Sequence, residues 1–231
     1  MTKIKHLLST FAVLLLIFLT SCSKDSATDP ATTPPAASSG DYYPTAINNT
    51  CTNKQNGTVL APSKIIGTEV FNNSTYFKFN PTVASGVTLT QYLRKDTGVY
   101  YLKTSDATIN LQSLTGTQTG FEIIFLKDNV PVDTTWSGTY STTTTYSGFN
   151  PIVTTVNYTS KIIAKDVTAV VGTTTYDNVI KVFSTTTGTS QSNISVATSE
   201  YWLAKNVGVI KSIQTSGTSS TITELVSYTL F

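Results

Sequence analysis

The chain has 231 residues, with 15 Lys and Arg against 13 Asp and Glu, two Cys, and single His and Met residues (His6 and Met1) that both fall in the N-terminal segment. That length suits one ordinary domain or two small ones. Removal of the segment takes Lys3 and Lys5 with it and leaves 13 basic residues against 13 acidic ones. A neutral chain without histidine excludes His-based triads, HExxH zinc sites, thioether ligation and a basic nucleic-acid face, so no metal, no other cofactor and no nucleic acid is expected.

Residues 1–21 begin with Lys3, Lys5 and His6, continue into the apolar run 11–19, and end in Leu19-Thr20-Ser21 before Cys22. The run falls well short of the roughly 20 residues that span a bilayer, so it reads as a signal peptide rather than an anchor helix. Cys22 after a small residue, with Leu19 three positions before it, resembles the lipobox of bacterial lipoproteins. The resemblance implies cleavage before Cys22, a diacylglycerol thioether on its sulfur and an acylated amine. Acyl chains of the palmitate kind, at about 0.8 kcal/mol per buried CH₂, would hold the chain stably to a membrane. Residues 22–41 are rich in Pro, Ser, Thr and Ala, with Pro30, Pro34 and Pro35 favouring extended backbone, and read as a disordered tether. Ser23-Lys24-Asp25 resembles, in part, the Lys/acid export signal of Bacteroidetes surface lipoproteins, although Ser26 stands where a second acid is usual. This points to the outer membrane of a Gram-negative bacterium, with the periplasmic and cell-surface faces both open and the partial motif leaning to the surface. Asp25-Ser26-Ala27 resembles the O-glycosylation triplet of the same phylum.

From residue 42 to 231 the pattern is short alternating runs rich in Thr, Val, Ile, Tyr and Phe, divided by turn residues. Strands are predicted at 64–71, 75–80, 87–93, 99–103, 107–114, 121–126, 135–146, 152–165, 167–171, 176–184, 193–203, 207–215 and 220–230. About a dozen strands at this spacing predict an all-β fold, a single antiparallel curved sheet or half-barrel. Thr (45 residues) and Ser (25 residues) are abundant, which suits the solvent face of a sheet. Thr142–Thr145 and Thr173–Thr175 read as clusters rather than the regular arrays of an adhesive or ice-binding surface.

A two-residue turn at Lys205-Asn206 would place Trp202 opposite Val209 and Glu200 opposite Lys211. A turn near Gly217 would then bring Val226 to Val209 and Glu224 to Lys211. Trp202, Val209 and Val226 would form an apolar row. Glu200, Lys211 and Glu224 would form a charged row on the same face, either at a wet sheet margin or as polar contacts for a ligand. With Cys22 lipidated, Cys51 would be a lone thiol without a disulfide, read as a half-buried small apolar residue.

Several stretches resemble a group of Bacteroidetes lipoproteins of unknown function: Tyr42-Tyr43-Pro44 with Asn48-Asn49-Thr50, the segment 126–136 ending in Trp136, and Tyr176 to Val182. Cys51 stands where those relatives carry Trp, and Asp133 where they carry Gly. Residues 201–211 and 224–228 are similar to the closing hairpin of a wider periplasmic β family. The resemblance implies a curved antiparallel sheet like that of lipoprotein carriers, and it supplies no catalytic residues.

The leading expectation is therefore a non-catalytic, lipid-anchored envelope lipoprotein of binding or structural role. Its partners would be the membrane and a glycan, protein or lipid, with Glu200, Lys211, Glu224 and Trp202 as ligand contacts. A carrier holding an acyl chain in a half-barrel is the alternative. A core filled by rings such as Phe77, Phe79, Tyr176 and Trp202 would argue against it. A two-carboxylate hydrolase is the third reading, with the in-strand acids Glu69, Glu122, Glu200 and Glu224 as its material.

Overall fold

A computed structural model describes residues 40–112, 114–191 and 193–231. The signal peptide, Cys22 and nearly all of the tether lie outside the described residues. The described chain is all-β and contains no helix.

Its long strands come last. β12 (Thr135–Tyr146), β13 (Ile152–Val171), β14 (Thr174–Ser190), β15 (Asn193–Ala204), β16 (Gly208–Ser216) and β17 (Ser219–Thr229) form an antiparallel meander in chain order. β17 then pairs with β1 (Thr50–Gln55), and β1 with both β2 (Thr58–Val59) and β3 (Ser63–Phe71). From β3 the ladder runs through β4 (Ser74–Phe79), β7 (Gln91–Asp96) and β8 (Val99–Thr104) to β11 (Glu122–Lys127). Beyond β12, a second branch continues through β10 (Leu114–Gln118), β9 (Ala107–Leu111) and β6 (Val87–Leu89) to the short edge strand β5 (Thr82–Ala84).

The result is one large curved antiparallel sheet that is not closed into a barrel. Its open seam lies between β11 and the first half of β12. Side chains bridge that seam in place of a ladder. The Trp136 indole donates to the Ile124 carbonyl at 2.9 Å, and the Ile124 amide donates to the Tyr158 hydroxyl at 3.0 Å.

Tight turns carry the expected residues. Asn72 and Asn73, Ser85 with Gly86, and Thr97 with Gly98 all have positive φ, as tight hairpin turns require. The predicted break between residues 165 and 167 is a bulge inside β13, where Asp166 adopts φ 56°. The predicted strand 107–114 is two strands, because Gln112 takes φ 52° and reverses the chain.

The concave side holds the main core. Tyr42, Tyr43, Phe79, Tyr100, Phe125, Trp136, Tyr158 and Tyr201 pack there with Ile162, Ile180, Leu203 and Val209. Tyr43 meets Phe79 and Phe125 edge-on at 6.1 and 6.2 Å, and Phe125 meets Tyr201 at 5.0 Å, the T-shaped geometry that aromatic quadrupoles favour. A second cluster, around Cys51, Ala169, Val171, Val179, Ile210 and Leu225, closes the end nearest the β15–β16 turn.

Candidate functional site

The β15–β16 turn contains three residues, Lys205–Val207, with Asn206 at φ 58°. A bulge between Trp202 and Leu203 adds a further step. Together they shift the predicted pairing. Trp202 lies opposite Lys211, not Val209, and Glu200 lies opposite Ile213, not Lys211. Lys211 does pair with Glu224. The apolar row of Trp202, Val209 and Val226 therefore does not form: Val209 belongs to the main core, and Val226 is half exposed at 51%.

What forms instead is a longer row across five strands, Lys181, Trp202, Lys211, Glu224 and Lys54. Lys181 sits over the Trp202 ring at 3.7 Å and Lys211 at 5.3 Å. Lys211 donates to one Glu224 oxygen at 2.9 Å, and Lys54 lies 3.1 Å from the other. Glu200, two residues before Trp202, accepts a 2.6 Å hydrogen bond from its indole. The structure thus brings all four sequence-predicted contact residues together. The hydrogen bonds from Lys211 and Lys54 hold the Glu224 carboxyl below the usual range, so it stays ionised between the two lysines.

A second constellation, not anticipated from sequence, lies on β4, β7, β8 and β11. Arg94 stacks on Tyr101 at 3.7 Å and donates to the Tyr76 hydroxyl at 3.3 Å, while Tyr76 donates to Glu122 at 2.6 Å. Nearby, Lys78 pairs with Glu69 at 2.9 Å. All four in-strand glutamates are thus hydrogen-bonded to Lys, Tyr or Trp. No sequence signal could have assembled this group, because its members come from strands whose pairing order is not local.

The hollow of the sheet is occupied. Tyr42 and Tyr43, the first residues of the predicted domain, are 0% and 1% exposed and lie within the main core. The segment is pinned by Asp41, whose carboxylate meets Lys95 at 2.9 Å and whose carbonyl accepts from the Asn206 amide. Tyr100 accepts from the Tyr42 amide and donates to buried Asp128 at 2.8 Å, and burial pushes its phenol pKa up. A cavity of about 20 Å³ lies by the seam, lined by Tyr140, Tyr158, Tyr201, Phe125 and a row of Ser160, Ser184 and Ser199. That holds about one water and is far below the roughly 300 Å³ of small-molecule pockets. Among the rings named as an argument against a carrier, Phe79 is in this core, Phe77 packs against it, and Tyr176 and Trp202 pack against the second cluster.

Cys51 is 2% exposed and disulfide-bonded, which corrects the expectation of a lone, half-buried thiol. Among the described residues no group of three His, Cys, Asp or Glu is placed to hold a metal ion, and no helix is long and apolar enough to cross a membrane.

No protein-family model matches the chain, and no curated protein matches it. Solved structures do. A candidate lipoprotein of Parabacteroides distasonis aligns over 82% of this chain and 99% of its own, with TM-score 0.51 and 10% identity. A candidate exported protein of Bacteroides fragilis, described as having a YmcC-like fold, covers the same shares with TM-score 0.38 and 8% identity. The first likeness shows a shared fold with a protein described as a lipoprotein.

Proposed function

We propose that this chain is an envelope lipoprotein, anchored through Cys22 to the outer membrane of a Gram-negative bacterium, whose β domain binds a partner and performs no chemistry. The observation that carries the reading is the filled hollow. Rings from both ends of the described chain pack into the hollow an acyl chain would need, and the cavity beside them is water-sized. Contact with a partner then falls to the outer faces and loops. The carboxylates also count against hydrolysis: the two whose pKa shifts, Glu69 and Glu224, both move down, toward permanent ionisation, whereas a general acid needs a raised one. The fold shared with a candidate lipoprotein agrees with envelope residence.

The anchor is tested by Cys22→Ala. The variant should leave the membrane fraction, and one that still sediments with membranes contradicts the proposal. A sulfur in a thioether cannot also form a disulfide, so intact mass adds a second check. Membrane-extracted protein should begin at Cys22 and carry acyl mass; an unacylated chain with Cys22 bonded to Cys51 would overturn the anchor.

A further inference from the structure

Residues 137–160, 182–199 and 212–223 contain no Asp, Glu, Lys or Arg. These are the distal parts of three successive hairpins, β12–β13, β14–β15 and β16–β17, whose turns all lie at the same end of the meander. The described chain enters at the opposite end, where Asp41 meets Asn206. The charge-free end therefore points away from the tether.

Strand register orders this region more than its sequence suggests. Ser137, Thr159, Thr185, Thr198, Thr215 and Ser220 are directly paired across six strands. None of the six is buried. Strands lie about 4.8 Å apart, so the hydroxyls repeat at that interval over about 24 Å. A parallel row two residues further along starts Thr139, Asn157 and Thr187, with Thr139 donating to Asn157 at 2.7 Å. Sequence-scattered threonines thus become a regular array, which the Thr142–Thr145 cluster does not reveal. Phe183, next to the six-residue row and 36% exposed, supplies an aromatic face.

We infer that this outer face docks a neutral polysaccharide, a chain of uncharged sugars running across the strands. The inference rests on the binding-module reading above and names its partner's chemistry. Charge complementarity selects it. The hydroxyl rows themselves hold nothing that pairs with a phosphate, a sulfate or an acidic peptide, and the nearest charges, Lys161 and Glu200, flank Phe183 one row toward the entry end, while alternating methyl and hydroxyl groups match the C–H and O–H groups of a sugar ring. Protein partners engage Trp, Tyr and Arg anchors, and the hydroxyl rows contain none. Sheet twist carries the row out of plane, so it follows a flexible chain better than a flat crystal lattice.

The test is affinity electrophoresis of the detergent-solubilised full chain in gels containing dextran, laminarin, galactomannan or pullulan, with anionic alginate as the contrast. At least one neutral polymer should retard the protein, equally at 0.05 and 1 M NaCl. Thr198→Glu should weaken that retardation at least tenfold, and so should the double change Thr185→Val and Thr198→Val. Valine keeps strand propensity, so the second variant guards against misfolding, checked by near-ultraviolet circular dichroism. Lys64→Ala, at an exposed position of β3, should change nothing. No retardation by any neutral polymer, retardation only by alginate and lost in salt, or folded valine variants that bind normally would each overturn the glycan assignment. A protein partner that co-purifies and ignores these variants would remove the glycan inference but leave the binding module standing.

Discussion

Gly138 shows how one missing side chain holds the open seam. A Cβ there would sit 2.5 Å from the Tyr158 hydroxyl oxygen and 2.6 Å from the ring. Tyr158 is buried and accepts from the Ile124 amide across the gap. Gly138→Ala should push the ring off that amide and cost about 1–3 kcal/mol, read as a lower thermal midpoint. An unchanged midpoint would mean that the ring yields freely. Glu224 makes a pH argument at the same scale. Its carboxyl is held below its ordinary value first by the Lys211 hydrogen bond. A depressed acid stabilises the fold above its unfolded pKa, near 4.3, and that stability is lost as pH falls through the folded value. Glu224→Gln should therefore lower the urea midpoint at pH 7 and narrow its difference from the midpoint at pH 3. An equal loss at both pH values would show that the pair contributes no linkage.

At the scale of elements, alternation made most of the strands readable. Residues 135–146 are β12 to the residue. β1 escaped because its inward positions include Asn53, buried at 3%, so Thr50–Gln55 shows no apolar period and depends on β17 for its place. β5 and β2 are three and two residues long, too short for any period. The register of β15 on β16 failed for a physical reason: a bulge and a third turn residue leave no compositional trace, yet each moves every partner beyond it. For that reason the four candidate contacts were legible as a group and Lys211 with Glu224 as a pair, but the partners of Trp202 and Glu200 were not, and Lys181 and Lys54 were not legible at all. Asp41, read as the last residue of the tether, and Tyr42, read as the first of the domain, belong to one pinned segment whose two tyrosines lie in the core. Its two tyrosines cap the hollow, so the pair Tyr42→Ala and Tyr43→Ala should open it. Expected are stronger fluorescence of a hydrophobic dye and a stability loss of several kcal/mol. Variants that bind no more dye than the parent would show that the hollow closes without its plug.

Across the whole molecule, polarity is divided by position. The end where the chain enters carries Asp41, Lys95, Asp128 and Lys165 in a bonded network, while the far ends of three hairpins carry no charge. Composition signalled neutrality overall, but only the register turned it into a face. The curved sheet matches the fold of a candidate lipoprotein at 10% identity, a likeness of fold alone, and function belongs to sites carried on a fold. The central claim is that a solid, membrane-tethered β domain offers its outside to a partner. Native mass spectrometry of the protein extracted from its own membrane tests this most directly. The account predicts an acylated chain with a carbohydrate adduct and an empty hollow; a free acyl lipid bound within the domain would contradict it.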